Sequence, residues 1–287
     1  MDLSPVCAPD SRLGFVARHQ YTVTDNSDLG EGWHRIEVAA PDLAPRVRAG
    51  QFVQVAVGGD YDPLVRRPFS VYDVLPAPGP SAERLRLLYQ VVGPGTRYME
   101  KLRPRDRIDL LGPLGQPLPR FPLPKSACLF LVGGGIGVAP LYLYCRELAA
   151  SPPPYRVEIV LGARREALLV GREAFVELGL TTHVATDDGS AGYRGNAIEL
   201  LRSRIDTEPT TLVAGIGCGP HGMNVALRDY VVANQLDFWI SLENYMPCGF
   251  GACFGCVIEA PAGRLPKYRR VCLEGPAFRA AELPARF

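Results

Sequence analysis

Two patterns of apolar and polar positions divide this chain. From about Phe15 to Leu111, β-branched and apolar residues come in short runs: YTVTDNS, WHRIEVAA, QFVQVAV, RPFSVYDVL, RLRLLYQVV and RIDLLG. Turn signals such as Asp25-Asn26, Gly58-Gly59 and Pro78-Gly79 part them. Short strands at this spacing, with little helical period between them, predict an antiparallel β-barrel. One short helix is expected over residues 95–102, with Thr96 at its cap.

Beyond the Pro-rich stretch 117–124 the pattern changes. ACLFLVGGG reads as an apolar strand ending in glycines, and a helix is expected over Val138–Ala150. Strands follow at 155–161, 181–185 and 211–215, helices at 173–178, 196–204 and 221–234, and a last strand at 237–243. Alternating strand and helix predicts a parallel sheet with crossover helices. Three parts result: a barrel over 12–120, an α/β domain over 125–240, and a C-terminal segment over 241–287. No internal repeat is visible, and the Pro-rich stretches 76–80 and 152–154 read as exposed turns.

Composition narrows the function classes. The 287 residues carry a formal net charge of +1 and a pI near 7.6, so no electrostatic footprint for nucleic acid or an anionic membrane exists. Hydrophobic residues make up 47 %, ordinary for a soluble globule. No run approaches the ~18 apolar residues of a membrane span. The start MDLSPVCAPDSRLGF lacks a basic region followed by an apolar one, and Asp2 and Asp10 argue against an organelle signal. A cytoplasmic protein without nucleic-acid or membrane partners is expected.

Chemistry enters with the cysteines. Cys248, Cys253, Cys256 and Cys272 read C-x4-C-x2-C-x15-C, and the first three have the spacing of plant-type [2Fe–2S] ligands. Glycines between them let backbone wrap inorganic sulfide. A zinc site, a disulfide or buried inert thiols are the alternatives. Cys7, Cys128, Cys145 and Cys218 are scattered and form no disulfide framework.

Upstream motifs suit nucleotides. Arg66-Arg67-Pro68-Phe69-Ser70 offers a cation and a hydroxyl on one strand, fit for a phosphate or for a surface ion pair. Leu88-Tyr89-Gln90 supplies a flat ring beside a strand edge, and Gly95 and Thr96 open a helix whose amides can receive an anion. Residues 111–115, LGPLG, read as a tight turn closing the barrel. Gly133, Gly134, Gly135 and Gly137 form a glycine loop between strand and helix, with Pro140 in the helix's first turn. Val138 stands where the G-x-G-x-x-G fingerprint requires glycine. Cys218-Gly219-Pro220 ends a strand before a helix carrying Met223. Gly162-Ala163-Arg164 and Thr186–Ser190 end neighbouring strands, where ligands bind in such sheets. Arg164 and Arg165 suit either a 2′-phosphate or solvent. Glu243 suits either orientation of a cofactor or a structural hydrogen bond. His19, His34, His183 and His221 show no metal spacing, and only His221 lies near the expected pocket.

These motifs, in this order, resemble the ferredoxin–NADP reductase superfamily. The segment 241–256, SLENYMPCGFGACFGC, resembles most closely the electron-transfer subunit of type 1B dihydroorotate dehydrogenase. The resemblance covers roughly residues 12–280. It implies that Arg67 and Ser70 hold the FAD pyrophosphate, with Gly95 and Thr96 completing that site. Pro68 and Phe69 would pack near the isoalloxazine, and Leu88, Tyr89 and Gln90 would line it. The glycine loop, Cys218, Gly219 and Pro220 would receive NAD, and the four tail cysteines would ligate [2Fe–2S]. The implied partner is an FMN-containing dihydroorotate dehydrogenase catalytic subunit in a heterotetramer. NADH is expected over NADPH, again from the resemblance. The chain is somewhat long for such a subunit, with 74–83 and 117–124 as candidate insertions. Two other readings stay open: a related reductase subunit serving a transhydrogenase, hydrogenase or sulfite-type reductase, and a zinc-stabilised binding module.

Overall fold

In the computed structural model, which describes residues 16–58, 65–75, 83–207, 212–261, 263 and 266–287, the first half closes into an antiparallel barrel. Its strands are β1 (Ala17–Gly30), β2 (Trp33–Ala39), β3 (Phe52–Val55), β4 (Arg67–Leu75), β5 (Arg84–Gln90) and β6 (Arg107–Leu114), with helix α1 (Pro94–Glu100) after β5. Around the barrel the order is β1-β2-β5-β4-β3-β6. Each apolar run became a strand because its inward positions fill the interior. Ile36, Val38, Val53, Val55, Leu85 and Leu110 are fully buried.

Two expectations change here. Residues 111–115 do not form a turn. Leu111 and Gly112 pair with Arg18 and Ala17 of β1, Leu114 pairs with Phe52 of β3, and the left-handed turn falls at Gly115 alone (φ 76°). Strand pairing on both sides outweighs the turn preference of Gly and Pro. Helix α1 is capped at Gly93, not Thr96. Thr96 lies one turn inside, where its hydroxyl accepts the amides of Val92 and Gly93 at 2.9 and 3.1 Å. The expected turns at 58–59 and 78–79, the 74–83 insertion and Cys7 fall wholly or partly outside the described residues.

The second half follows the alternation closely: β7 (Cys128–Gly134), α2 (Val138–Ala150), β8 (Arg156–Ala163), α3 (Arg172–Glu177), β9 (Thr181–Thr186), β10 (Tyr193–Arg194), α4 (Ala197–Asp206), β11 (Val213–Cys218), α5 (His221–Ala233) and β12 (Asp237–Ser241). The tail adds a hairpin, β13 (Val257–Glu259) and β14 (Tyr268–Arg270), then α6 (Val271–Glu274) and β15 (Ala277–Arg279). The sheet order is β10-β9-β8-β7-β11-β12-β15. It is not wholly parallel, because β15 runs antiparallel to β12, pairing Ile240 with Phe278. Three residues are too few to display a period, yet Phe278 is fully buried and secures the strand.

Stretch 117–124 joins the halves as a packed strap. Leu118 and Phe121 are buried, Leu118 N–H donates to Ala49 O at 2.8 Å, and Tyr144 Oη donates to Pro119 O at 2.8 Å. Helix α2 lies on β4, with Tyr72 and Tyr142 stacked at 4.6 Å and 18°. Such a pair is worth about 0.5–1.5 kcal/mol beyond its buried area. Beside it Arg146 lies 3.7 Å from the buried Asp73 carboxylate. Among the described residues no helix is long and apolar enough to cross a membrane.

Candidate cofactor cleft and cysteine cluster

A cleft of about 950 Å³ opens between barrel and sheet, at the upper end for small-molecule sites. Its barrel wall carries Pro68, Phe69 and Ser70 of β4, Leu88, Tyr89 and Gln90 of β5, and Thr96 of α1. Its floor is Gly134, Gly135 and Gly137 at the β7–α2 turn, with Cys218 and Pro220 beyond β11. Gly162, Ala163, Arg164 and Asp187, at the carboxyl ends of β8 and β9, extend it. Ser241, Leu242, Glu243 and Met246 line the end nearest the cysteines.

Four of the expected residues lie just outside this lining. Arg67 is exposed and turns its guanidinium back to the carbonyls of Val65 and Arg66. Gly95 sits in α1 against Val57, Gly133 beneath Leu161 and Val138, and Gly219 against Met223. His221 is exposed and meets Phe287 edge-on at 5.7 Å. Arg165 ties the β8 end to the barrel through Glu31 at 2.6 Å.

The floor follows from one close approach. A Cβ on Gly137 would lie 1.9 Å from Cys218 O, so only glycine lets the two turns meet. The 13-residue helix α2 begins there with no side-chain cap, which leaves first-turn amide donors suited to an anion. Trp33, which sequence reasoning missed, also lines the cleft. Its buried Nε1 has no partner among the described residues, so a bound acceptor would satisfy it. Trp33 reaches this place by pairing with Gln90 across β2 and β5, a register that local sequence does not display. Asn224 was missed as well; it is buried and donates Nδ2 to Ser241 O at 3.1 Å.

At the inner end Cys218 is buried and Glu243 stays accessible from the cleft. Burial pushes the Cys218 thiol up to about 12, with Glu243 adding to the rise and a hydrogen bond with Ser241 opposing it. Burial likewise raises the Glu243 carboxyl. Desolvation penalises the charged form of each.

The four tail cysteines converge as two pairs. Cys248 contacts Cys253, and Cys256 contacts Cys272. None is in a disulfide. Burial pushes Cys248 up, but the Cys253, Phe250 and Ala252 amides and the Cys253 thiol outweigh it and hold it below the usual thiol range. The hydrogen bond from Cys272 lowers Cys256 to about 6, helped by the amides of Cys272 and Val271. Cys272 keeps the shared proton and is raised, and the negative charge of Cys248 raises it further. The amides of Gly255 and Cys272 point at Cys253 Sγ and Cys256 Sγ, both at 3.4 Å. Thiolate sulfurs ringed by amides suit metal ligation. Among the described residues no three His, Cys, Asp or Glu side chains surround one common ion position. Tyr245, Phe250, Phe254 and Tyr268 stand exposed around this loop.

The family described as the iron-sulfur cluster binding domain of dihydroorotate dehydrogenase B matches residues 243–284. A relative from Bacillus caldolyticus, named dihydroorotate dehydrogenase B (NAD(+)), electron transfer subunit, is 36 % identical over 268 residues, spanning 93 % of this chain and 99 % of its own. One of the same name from Desulforamulus reducens is 36 % identical over 243 residues, spanning 85 % of this chain and 89 % of its own. Among solved structures, a chain of an NADH-dependent reduced ferredoxin–NADP oxidoreductase superposes with a TM-score of 0.77 at 25 % identity, covering 92 % of this chain and 89 % of that one. With its barrel, its mixed sheet and its cysteine-bearing tail all within these matches, the chain belongs to the family of dihydroorotate dehydrogenase B (NAD(+)) electron transfer subunits.

Proposed function

We propose that this chain carries electrons between NAD(H) and a catalytic partner subunit that oxidises dihydroorotate to orotate, through FAD and a [2Fe–2S] cluster. The observation carrying this is continuity: Ser241, Leu242, Glu243, Asn244 and Met246 line the cleft, and Cys248 follows two residues after Met246. Overall, dihydroorotate and NAD⁺ give orotate, NADH and a proton. Flavin exchanges a hydride with nicotinamide and single electrons with an iron–sulfur centre, so it belongs between them.

The residues divide this work. Pro68, Phe69, Ser70, Leu88, Tyr89 and Gln90 would shape the flavin site, and Arg67, Gly95 and Thr96 would close its phosphate end. Gly133, Gly134, Gly135, Gly137, Cys218, Gly219 and Pro220 would receive NAD over the α2 N-terminus. Cys248, Cys253, Cys256 and Cys272 would hold the cluster. Hydride exchange needs no acid or base, and none is assigned to Cys218 or Glu243. Residues 12–120, 125–240 and 241–287 are the corresponding flavin, nucleotide and cluster parts. The exposed aromatics around the loop would meet the FMN-containing partner in a cytoplasmic heterotetramer.

A visible spectrum of protein isolated anaerobically tests this. Flavin bands and a broad iron–sulfur absorption, both bleached by NADH, are expected. A colourless protein with one zinc per chain overturns it. Co-purification with an FMN-containing dehydrogenase, assayed on dihydroorotate, tests the partner.

A further inference from the structure

The cysteine segment is docked on the barrel through two glutamine side chains. Gln54 of β3 is fully buried. Its backbone pairs with Pro68, on the strand that forms the cleft wall, while its Nε2 donates to Met246 O, 192 residues away and two before Cys248. The fit is close: a Cβ on Gly249 would lie 2.6 Å from Gln54 Cγ and 3.0 Å from Leu114 Cδ1. Gln54 Oε1 has no partner among the described residues. At the other end, Gln116 Nε2 donates to Leu273 O at 2.9 Å, one residue past Cys272. The Gln116 backbone N–H donates to Gly275 O at 2.6 Å.

Burying an amide with one orphaned oxygen is unfavourable. An apolar side chain at position 54 would avoid that cost and still fill the strand. What it could not do is bind the carbonyl two residues before the first cysteine. Both carbonyls held this way lie within two residues of a cysteine, Met246 before Cys248 and Leu273 after Cys272. Gln54 lies on barrel strand β3 and Gln116 two residues past β6, and β3 also gives Phe52 to the cleft lining.

We propose that Gln54 and Gln116 are positioning residues for electron passage: they clamp both cysteine pairs to the cleft-bearing barrel and so set the separation between the two redox sites. This rests on reading the cleft as the flavin site and the four cysteines as cluster ligands. Each passage moves one electron, oxidising the flavin by one and reducing the cluster by one. The flavin's protons leave to solvent, NADH supplies or NAD⁺ takes up two electrons at a time, and the partner exchanges them singly with the cluster. Electron passage falls steeply with distance, so loosening the clamp slows this step and leaves hydride transfer untouched.

Wild type, Gln54→Leu and Gln116→Leu are compared as full chains loaded with FAD, iron and sulfide. After rapid mixing with NADH, flavin and cluster bleaching are followed separately, and the reduced cluster is examined by EPR. Flavin reduction is expected at the wild-type rate. Cluster reduction should slow about tenfold in Gln54→Leu, the low end of what losing an outer partner of a metal ligand costs, with an altered EPR line. Gln116→Leu should show a smaller effect of the same kind. Iron-loaded variants with wild-type cluster reduction and EPR line overturn the proposal. If Gln54→Leu does not take up iron, Gln116→Leu decides by the same readouts. Hydrogen exchange of the cofactor-free chain gives an independent arm: amides of residues 246–256 should exchange faster in Gln54→Leu, and unchanged protection counts against the clamp. A wild-type protein that binds neither flavin nor iron defeats the functional reading instead, and the exchange arm still judges the clamp.

Discussion

Gly137 and Cys218 meet backbone to backbone. A Cβ on Gly137 would sit 1.9 Å from Cys218 O and 2.7 Å from the amide nitrogen of Gly219. Rigid main chain lies on both sides, so Gly137→Ala must part the two turns that make the cleft floor. Overpacking typically costs about 1–3 kcal/mol, and this contact belongs at or above the top of that range. Gly135→Ala is the control. Its φ is +53° and its Cβ would meet nothing within 4 Å, so only the left-handed backbone penalty of about 1–2 kcal/mol applies. Urea unfolding and NADH titration of both variants check this; equal losses would contradict it.

Glu243 predicts a pH dependence. Burial raises its carboxyl, so its stability contribution is fully present below the unfolded value of about 4.3 and is lost as pH rises through the raised folded value. Glu243→Gln keeps the shape and removes the titration. Against the variant, the cofactor-free wild type should lose stability as pH climbs through that window, then run parallel to it. Denaturation midpoints that stay parallel throughout would exclude a desolvated carboxyl.

Thiol reactivity should follow exposure over ionisation. Cys253 is exposed and Cys248 half-buried, whereas Cys145, Cys218, Cys256 and Cys272 are buried. In the reduced, metal-free chain iodoacetamide should label Cys253 and Cys248 first. Cys256 ionises readily, at about 6, yet should lag because its sulfur is enclosed. Cys145, pushed up by burial, should remain unlabelled until unfolding. Peptide mapping over a time course distinguishes these orders, and early labelling of Cys145 would refute them.

Tyr142 joins the two halves. It stacks on Tyr72 and meets Phe175 edge-on at 5.7 Å. Tyr142→Ala should cost about 3–5 kcal/mol, as large aromatic truncations do, and weaken NADH binding by releasing α2 from β4. Asn196→Ala is a milder comparison. It removes the α4 cap, whose Oδ1 accepts the Ile198 and Glu199 amides at 3.0 Å each, and should cost about 1 kcal/mol. Thermal unfolding with and without NADH measures both.

Much of this protein was readable from sequence because its determinants are local. Strand period and turn residues act over a few positions, so the barrel runs emerged where expected, and Val138–Ala150 forms α2 with those same bounds. The cysteine spacing was legible for the same reason: three of the four sulfurs sit on one short loop. What tertiary structure alone decided is pairing between distant segments. That residues 111–115 continue a strand depends on having β1 and β3 on either side. That β15 joins the sheet antiparallel depends on β12 offering a free edge. The orphaned Trp33 Nε1, the grouping of four sulfurs into two pairs, and the reach of Gln54 to Met246 across 192 residues have no local period. They are set by which surfaces chain closure brings together, and periodicity along the backbone carries no information about that.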